Sequence, residues 1–419
     1  MPFLKSIKLS GFLSFPPDAE AIPLTPLNVI IGPNGSGKSN LIEAIDLLST
    51  ASKSSLASAI RMGGGATEWL WKGEPKAERS SIDVTLGDTP WNRDLRYQIS
   101  FASAGQRLEV VEETIEDAEQ SDESSCHFYR YQGGAPEISA RLPETTTVFG
   151  MTTTSSGTTT TPAPQQPVLT PVPTRSMRSF QRTNLVLDES VLSQRKDQNL
   201  YPELFWLNSQ FNGIQVFNNW SFGRLAPMRA PQRTDLDGFD LLPNAENLGL
   251  VLNEFLLSGI AEEFNRHMAF FLPRYRRFNV RIYGNSLQLY LIEDGLGSPV
   301  PATRLSDGTI RFMAILALLL SPNPPPLLCI DEPEMGLHPD AVSRLGDLLV
   351  DASDRMQLIV TTHSDTLVSA LTEHANSVLV AENLNGTRIE RVDPQRLEQW
   401  LSKYRLGEIW RIGEIGGNP

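Results

Sequence analysis

Two kinds of hydrophobic spacing alternate along this chain. Short continuous apolar runs, Leu27-Asn28-Val29-Ile30-Ile31 and Pro326-Leu327-Leu328-Cys329-Ile330, predict strands buried on both faces. Ile7–Phe12 predicts an early strand, and alternating runs around Ser81–Leu86, Tyr97–Ala102 and Leu108–Ile115 predict an antiparallel β-lobe. Apolar positions three and four residues apart predict helices over Asn40–Thr50, Tyr201–Val216, Asn247–Phe271 and Gly308–Leu320. Further on, a strand Gln357–Val360, a helix Asp365–Leu371, a strand Ser377–Ala381, a hairpin at Asn383–Thr387 and a helix Pro394–Lys403 are expected. No heptad run is long enough for a coiled-coil arm.

Between the first buried strand and the first helix stands Gly32-Pro33-Asn34-Gly35-Ser36-Gly37-Lys38-Ser39. Strand, glycine-rich loop and helix at this Gly-x4-Gly-Lys-Ser spacing form a phosphate-binding loop. Its glycines let backbone N–H groups from Asn34 through Asn40 turn toward phosphate oxygens, and the helix N-terminus adds positive potential there. Lys38 can reach β- and γ-phosphates, and the Ser39 hydroxyl can bind Mg²⁺. The second buried strand ends in Asp331-Glu332. An aspartate there is placed to hold Mg²⁺ through water, and the adjacent Glu332 to polarise an attacking water near the γ-phosphate. ATP and Mg²⁺ are the cofactors this pairing predicts.

Asp331-Glu332-Pro333-Glu334-Met335-Gly336-Leu337-His338-Pro339 resembles the Walker B and D-loop of ABC-type ATPases. Its Gly-Leu-His-Pro ending is typical of the RecF, OLD and SMC-like branch. Arg304-Leu305-Ser306-Asp307-Gly308-Thr309 lies upstream, as the ABC signature does, and Thr361-Thr362-His363-Ser364 ends the next strand, where the family keeps its switch histidine. With these motifs in order, the chain resembles the compact prokaryotic ATPases of the AAA_21 type, many of them associated with anti-phage defence. The likeness covers residues 1–50 and 285–385 best. It implies an α/β P-loop head with a mixed or parallel sheet, the antiparallel β-lobe and an inserted helical lobe. It also implies a γ-phosphate contact for His363, a dimer-seam place for His338, and a Q-loop glutamine, Gln194, that touches Mg²⁺ or the attacking water. Ser306 and Gly308 would contact the γ-phosphate held by a second copy of the chain.

The signature departs from the usual Leu-Ser-Gly-Gly-Gln at Asp307 and Thr309. An aspartate beside a phosphate is unfavourable unless its side chain turns away. Ser306 also suits a plain helix cap, so both readings stand.

Lys38 and Asp331 lie about 290 residues apart, more than a plain P-loop domain needs. The expected organisation is 1–142 for the first half of the head, 143–174 for a low-complexity Thr/Pro-rich insertion, 175–284 for the helical lobe and 285–419 for the second half. Eight carboxylates between Glu109 and Glu123 predict a solvated loop or edge. The residues after His363 leave no room for the TOPRIM nuclease domain of OLD proteins, so a nuclease effector is expected on a separate polypeptide.

The net charge of −13 argues against a general nucleic-acid coat but leaves room for local basic surfaces. Arg224, Arg229 and Arg233 form one cluster; Arg274-Tyr275-Arg276-Arg277-Phe278 with Arg281 forms another. Each fits nucleic acid, an acidic protein partner, or solvated charge with the aromatics in the core. Cys126 and Cys329 make neither a disulfide framework nor a zinc cluster. The longest apolar stretch, Phe312–Leu320, is too short for a bilayer, and no signal peptide is visible. A cytoplasmic ATPase is expected: a homodimeric switch acting on a separate effector, or a RecF-like DNA clamp. The D-loop and large insert disfavour a transporter ATPase.

Overall fold

The computed structural model describes the chain except residues 1, 54–55, 105–106, 120–126, 134–135, 142–174, 180–185, 187–188, 219, 222 and 417–419. The low-complexity segment 143–174 and Cys126 therefore lie outside the described residues, as do Leu187 and Asp188 ahead of Gln194.

A six-stranded sheet forms the centre, in the order Gln215–Phe217, Leu327–Asp331, Gln357–Thr361, Leu27–Ile31, Val378–Asn383 and Thr387–Arg391. Its first five strands are parallel, and the last pairs antiparallel. Leu27–Ile31 lies in the middle and is buried throughout. Leu27, Val29 and Ile31 face one hydrophobic core and Ile30 the other, as the two-residue period of a strand requires. Each such fully buried side chain contributes about 1.5–3 kcal/mol of transfer free energy. In register, Asp331 stands opposite Thr361 and Thr361 opposite Ile30. The P-loop, the acidic pair and the histidine loop thus leave the same edge, the carboxyl ends of parallel strands where α/β folds bind ligands.

One core holds the signature helix Asp307–Leu319, the D-loop helix Pro339–Ser353 and the pair Leu248–Ser258 and Ala261–Phe271. The expected single helix Asn247–Phe271 breaks at Gly259, whose φ of 82° ends its first half. The other core lies between the central sheet and an eight-stranded antiparallel sheet, with the P-loop helix Lys38–Lys53 and helix Pro202–Asn212. That sheet contains all the alternating runs. Its strand Leu4–Ser10 stops earlier than expected, at Gly11 with φ 63°.

The acidic run is not a solvated edge in its described part. It lies on strand Arg107–Asp117, and Glu113 and Asp117 are buried. Glu113 accepts hydrogen bonds from Tyr97 Oη, Ser190 Oγ and the Val191 N–H.

Residues 175–284 distribute over all three sheets. Arg175–Ser179 edges the antiparallel sheet, and Gln215–Phe217 joins the central sheet where the helical pattern was expected to run on to Val216. Tyr275–Tyr283 and Ser286–Glu293 pair in a small third sheet. No described helix is long and apolar enough to cross a membrane.

Candidate active site

The P-loop helix starts at Lys38, so Lys38 and Ser39 occupy its first turn. The Lys38 ammonium donates to the carbonyls of Gly32 at 2.7 Å and Pro33 at 3.0 Å. Burial lowers its pKa from the usual lysine range, against the opposing pull of Glu332, Asp331 and Glu334. Ser36 Oγ is buried without a hydrogen-bond partner. An orphaned hydroxyl and a lysine folded back on loop carbonyls fit a cradle whose polar groups a triphosphate would engage. Asn34, Gly35 and Ser39 are exposed. Asn40 donates its amide to Ser14 Oγ at 2.6 Å.

Across from Lys38, the Thr361 hydroxyl donates to Asp331 Oδ1 and fixes that carboxylate at the strand end. Glu332 follows in a left-handed backbone conformation, φ 45°, unusual for a non-glycine residue. Its N–H donates to the Thr361 carbonyl at 3.1 Å. Its carboxylate lies 3.5 Å from His363 Nε2. Burial, then the nearby Lys38 ammonium, lowers the His363 pKa and favours neutral imidazole at pH 7. Lys38, Asp331, Glu332 and His363 therefore converge. Among the described residues no group of three His, Cys, Asp or Glu is set to hold a metal by itself. Ser39 and Asp331 are the residues that would hold a Mg²⁺ accompanying a bound triphosphate.

Two residues missed in the sequence complete this floor. Glu334 accepts hydrogen bonds from the Thr362 hydroxyl at 2.6 Å and the His363 N–H at 3.0 Å, so it holds the histidine loop. Burial raises its pKa. Arg311, on the signature helix, donates to the Glu332 carbonyl. Glu334 stood inside the quoted acidic motif, but nothing in the sequence pointed to Arg311.

Ser306 caps the signature helix: its Oγ accepts the Thr309 N–H at 3.0 Å. Gly308 abuts the D-loop so closely that a Cβ there would stand 2.6 Å from the Gly336 carbonyl oxygen. Ser306 and the D-loop residues Met335 and His338 are exposed. The Asp307 carboxylate does turn away: it accepts from Arg229 Nη2 and, at 3.0 Å, from the Gly223 N–H. The Arg229 bond lowers the Asp307 pKa.

That pairing corrects the first arginine cluster. Arg229 is buried and also donates to the carbonyls of Ala302 and Leu305, so it is structural. Arg224 is exposed, and exposed Arg233 pairs with Asp235. In the second cluster Tyr275 and Phe278 are core residues, while Arg274, Arg277 and Arg281 are exposed and Arg276 pairs with Asp294. Gln194 is not joined to the P-loop by any of its described bonds. Its amide donates to the carbonyls of Val186, Glu189 and Ser190 and accepts the Val186 N–H, closing its own loop.

The family described as "AAA domain, putative AbiEii toxin, Type IV TA system" matches residues 27–132 and 159–369. The chain belongs to this family. It carries the AAA domain that the family description names. It is 37% identical over 75 residues to the Old nuclease of Escherichia phage P2, and 32% identical over 121 residues to the energy-coupling factor transporter ATP-binding protein EcfA2 of Lactobacillus acidophilus. Those matches take in 17% and 28% of this chain, and only 12% and 40% of the relatives' own lengths. The fold is that of SMC heads. An SMC head bound to the C-terminal winged-helix domain of ScpA superposes with a TM-score of 0.57 at 15% identity, over 94% of this chain and 99% of that one. The Pyrococcus furiosus SMC head with an extended coiled coil gives 0.56 at 12% identity, over 96% and 99%.

Proposed function

We propose that this ATPase binds Mg·ATP at the P-loop and hydrolyses it in a composite site between two copies of the chain, as a cytoplasmic switch that holds or releases a separate effector. The convergence of Lys38, Asp331, Glu332 and His363 at one sheet edge carries the reading. Lys38 leaves the Gly32 and Pro33 carbonyls for the β- and γ-phosphates. Mg²⁺, held by Ser39 and Asp331, would supply charge neutralisation on those phosphates. Glu332 polarises the attacking water, and neutral His363 offers an N–H to the γ-phosphate. The exposed Ser306 and the half-buried Gly308 at the signature helix N-terminus close over the partner's nucleotide. Gln194 joins only if its loop rearranges.

The family description and the Old nuclease match support a nuclease or toxin as effector, in prokaryotic anti-phage defence. A RecF-like DNA clamp is the second reading. It is favoured by the exposed arginines and Tyr283 on the hairpin Tyr275–Glu293.

Mixing Lys38→Ala chains with Ser306→Arg chains tests the composite site. Each alone should be inactive, whereas a mixed dimer carries one doubly damaged site and one intact site and should regain activity. Where strict coupling of the two sites blocks that recovery, Glu332→Gln with ATP should run as a dimer by size. A Glu332→Gln protein that stays monomeric, with wild-type hydrolysis per chain independent of concentration, contradicts the proposal.

A further inference from the structure

The hairpin of Val378–Asn383 and Thr387–Arg391 lies far from the P-loop in sequence and touches it at four residues. A Cβ on Gly32 would stand 2.2 Å from the Ala381 carbonyl oxygen. Asn383 Nδ2 donates to the Gly35 carbonyl at 3.0 Å. Thr387 Oγ1 donates to the Ser36 carbonyl at 2.9 Å. Gly37, at φ 97°, presents its α-carbon to the same threonine: a Cβ there would lie 2.0 Å from Thr387 Oγ1. The glycine is required for this packing as much as for the turn.

The proton count fixes the direction of the bonds. The Thr387 hydroxyl has one proton, and it goes to the Ser36 carbonyl. Its 2.6 Å contact with Ser14 Oγ must then be a bond that Ser14 donates. Ser14 Oγ in turn accepts the Asn40 amide at 2.6 Å. A one-way chain runs from Asn40 through Ser14 and Thr387 to the Ser36 carbonyl. It begins in the first turn of the P-loop helix and ends in the loop, so it closes a ring around Gly37, Lys38 and Ser39. The Thr387 N–H on the Ser14 carbonyl, at 2.7 Å, ties the ring to the hairpin backbone.

We infer that Asn383 and Thr387 are positioning residues for the triphosphate. In a trans peptide the C=O and N–H point in opposite directions. Drawing the Gly35 and Ser36 carbonyls toward the hairpin turns the Ser36 and Gly37 N–H groups toward the loop interior. The Ser36 N–H indeed points across the loop to the Pro33 carbonyl at 3.2 Å, one of the two carbonyls on which Lys38 rests. The hairpin thus prepays the ordering of donors that phosphate would otherwise have to impose. Asn383 does two things at once, because its Oδ1 accepts the Gly386 N–H at 3.1 Å and closes the hairpin turn.

This inference rests on the proposed binding of ATP at the P-loop. The full-length chain is titrated with Mg·ATP by calorimetry as wild type, Thr387→Val, Thr387→Ser, Asn383→Asp and Lys38→Ala, with nucleotide-free melting measured alongside. Thr387→Val keeps the shape and removes the hydroxyl. Asn383→Asp keeps the acceptor for Gly386 and turns the donor into an oxygen that repels the Gly35 carbonyl and phosphate. Each should raise the Kd for Mg·ATP by about three- to tenfold, the effect of one lost hydrogen bond. The kcat at saturating ATP should stay within about twofold, and Thr387→Ser should restore wild-type affinity. Unchanged affinity in Thr387→Val, or a Thr387→Ser protein no better than Thr387→Val, overturns the inference. If wild type binds and Lys38→Ala does not while the hairpin variants bind normally, the hairpin alone has been misread. If wild type itself does not bind, the nucleotide site has.

Discussion

Arg311 on the signature helix donates a hydrogen bond to the carbonyl of Glu332, the residue that stands at φ 45°. A side chain in that region costs on the order of 1–2 kcal/mol, so the Glu332 backbone needs fixed partners on both sides. Thr361 supplies the one for its N–H, and Arg311 joins the Met335 N–H, at 3.2 Å, on its carbonyl. The Arg311 guanidinium is buried 5.3 Å from the Trp220 ring centroid, and burial lowers its pKa to about 10, so it remains cationic at pH 7. The helix whose N-terminus meets the second nucleotide in the proposed dimer is thereby tied to the backbone of its own chain's proposed water-activating residue.

Arg311→Ala should therefore lower kcat by about tenfold while moving the KM for ATP much less, because it loosens the Glu332 backbone, leaving its carbonyl to the Met335 N–H alone, without touching the phosphate cradle. Arg311→Lys should recover part of the loss. Steady-state ATPase kinetics of both variants check this; a change confined to KM would contradict it.

Arg229 keeps the Asp307 carboxylate away from the proposed phosphate position. Arg229→Ala should cost about 1–3 kcal/mol of stability, since the Leu305 carbonyl loses its donor, and should also depress ATPase activity. Adding Asp307→Asn removes the charge that was set free. Activity should rise in the double variant while the melting temperature stays low. Equal activity in the single and double variants would show that the aspartate's charge is irrelevant to turnover.

Glu113 makes stability depend on pH. Burial raises its pKa from the ordinary 4.5 to about 7, against the bonds from Ser190, Val191 and Tyr97. The folded chain therefore holds this proton where the unfolded chain has lost it. Its contribution is complete below pH 4.5 and is lost as pH rises through about 7, a swing on the order of 3 kcal/mol. Glu113→Gln should flatten that part of the profile and gain on wild type at pH 8. Melting curves at pH 5 and pH 8 decide it; an unchanged difference between the two pH values contradicts the assignment.

Legibility followed the range of the interactions. The P-loop, the Asp331-Glu332 strand end and the alternating strands are local patterns, and they stand where expected but for the first strand, which ends at Ser10. The Tyr201–Val216 pattern ran a helix into a strand because a short apolar run after Gly213 fits either element. Arg229 and Glu113 were read as surface charge because burial is set by partners from other parts of the chain, Asp307 for one and Tyr97 with Ser190 for the other. Thr387 and Asn383 could not be seen as site residues, since only the sheet order brings them to the P-loop. Gln194 was placed on family likeness, and its side chain is engaged in its own loop.

Glu332 is proposed to activate water for ATP hydrolysis at this site. The steady-state ATPase rate of Glu332→Gln at saturating Mg·ATP, beside wild type at equal chain concentration, tests that role. The substitution keeps size and polarity, leaves Lys38, Ser39 and Asp331 in place, and removes only the base. The kcat should fall by about 10²-fold or more. A Glu332→Gln protein that turns over ATP at close to the wild-type rate would contradict it.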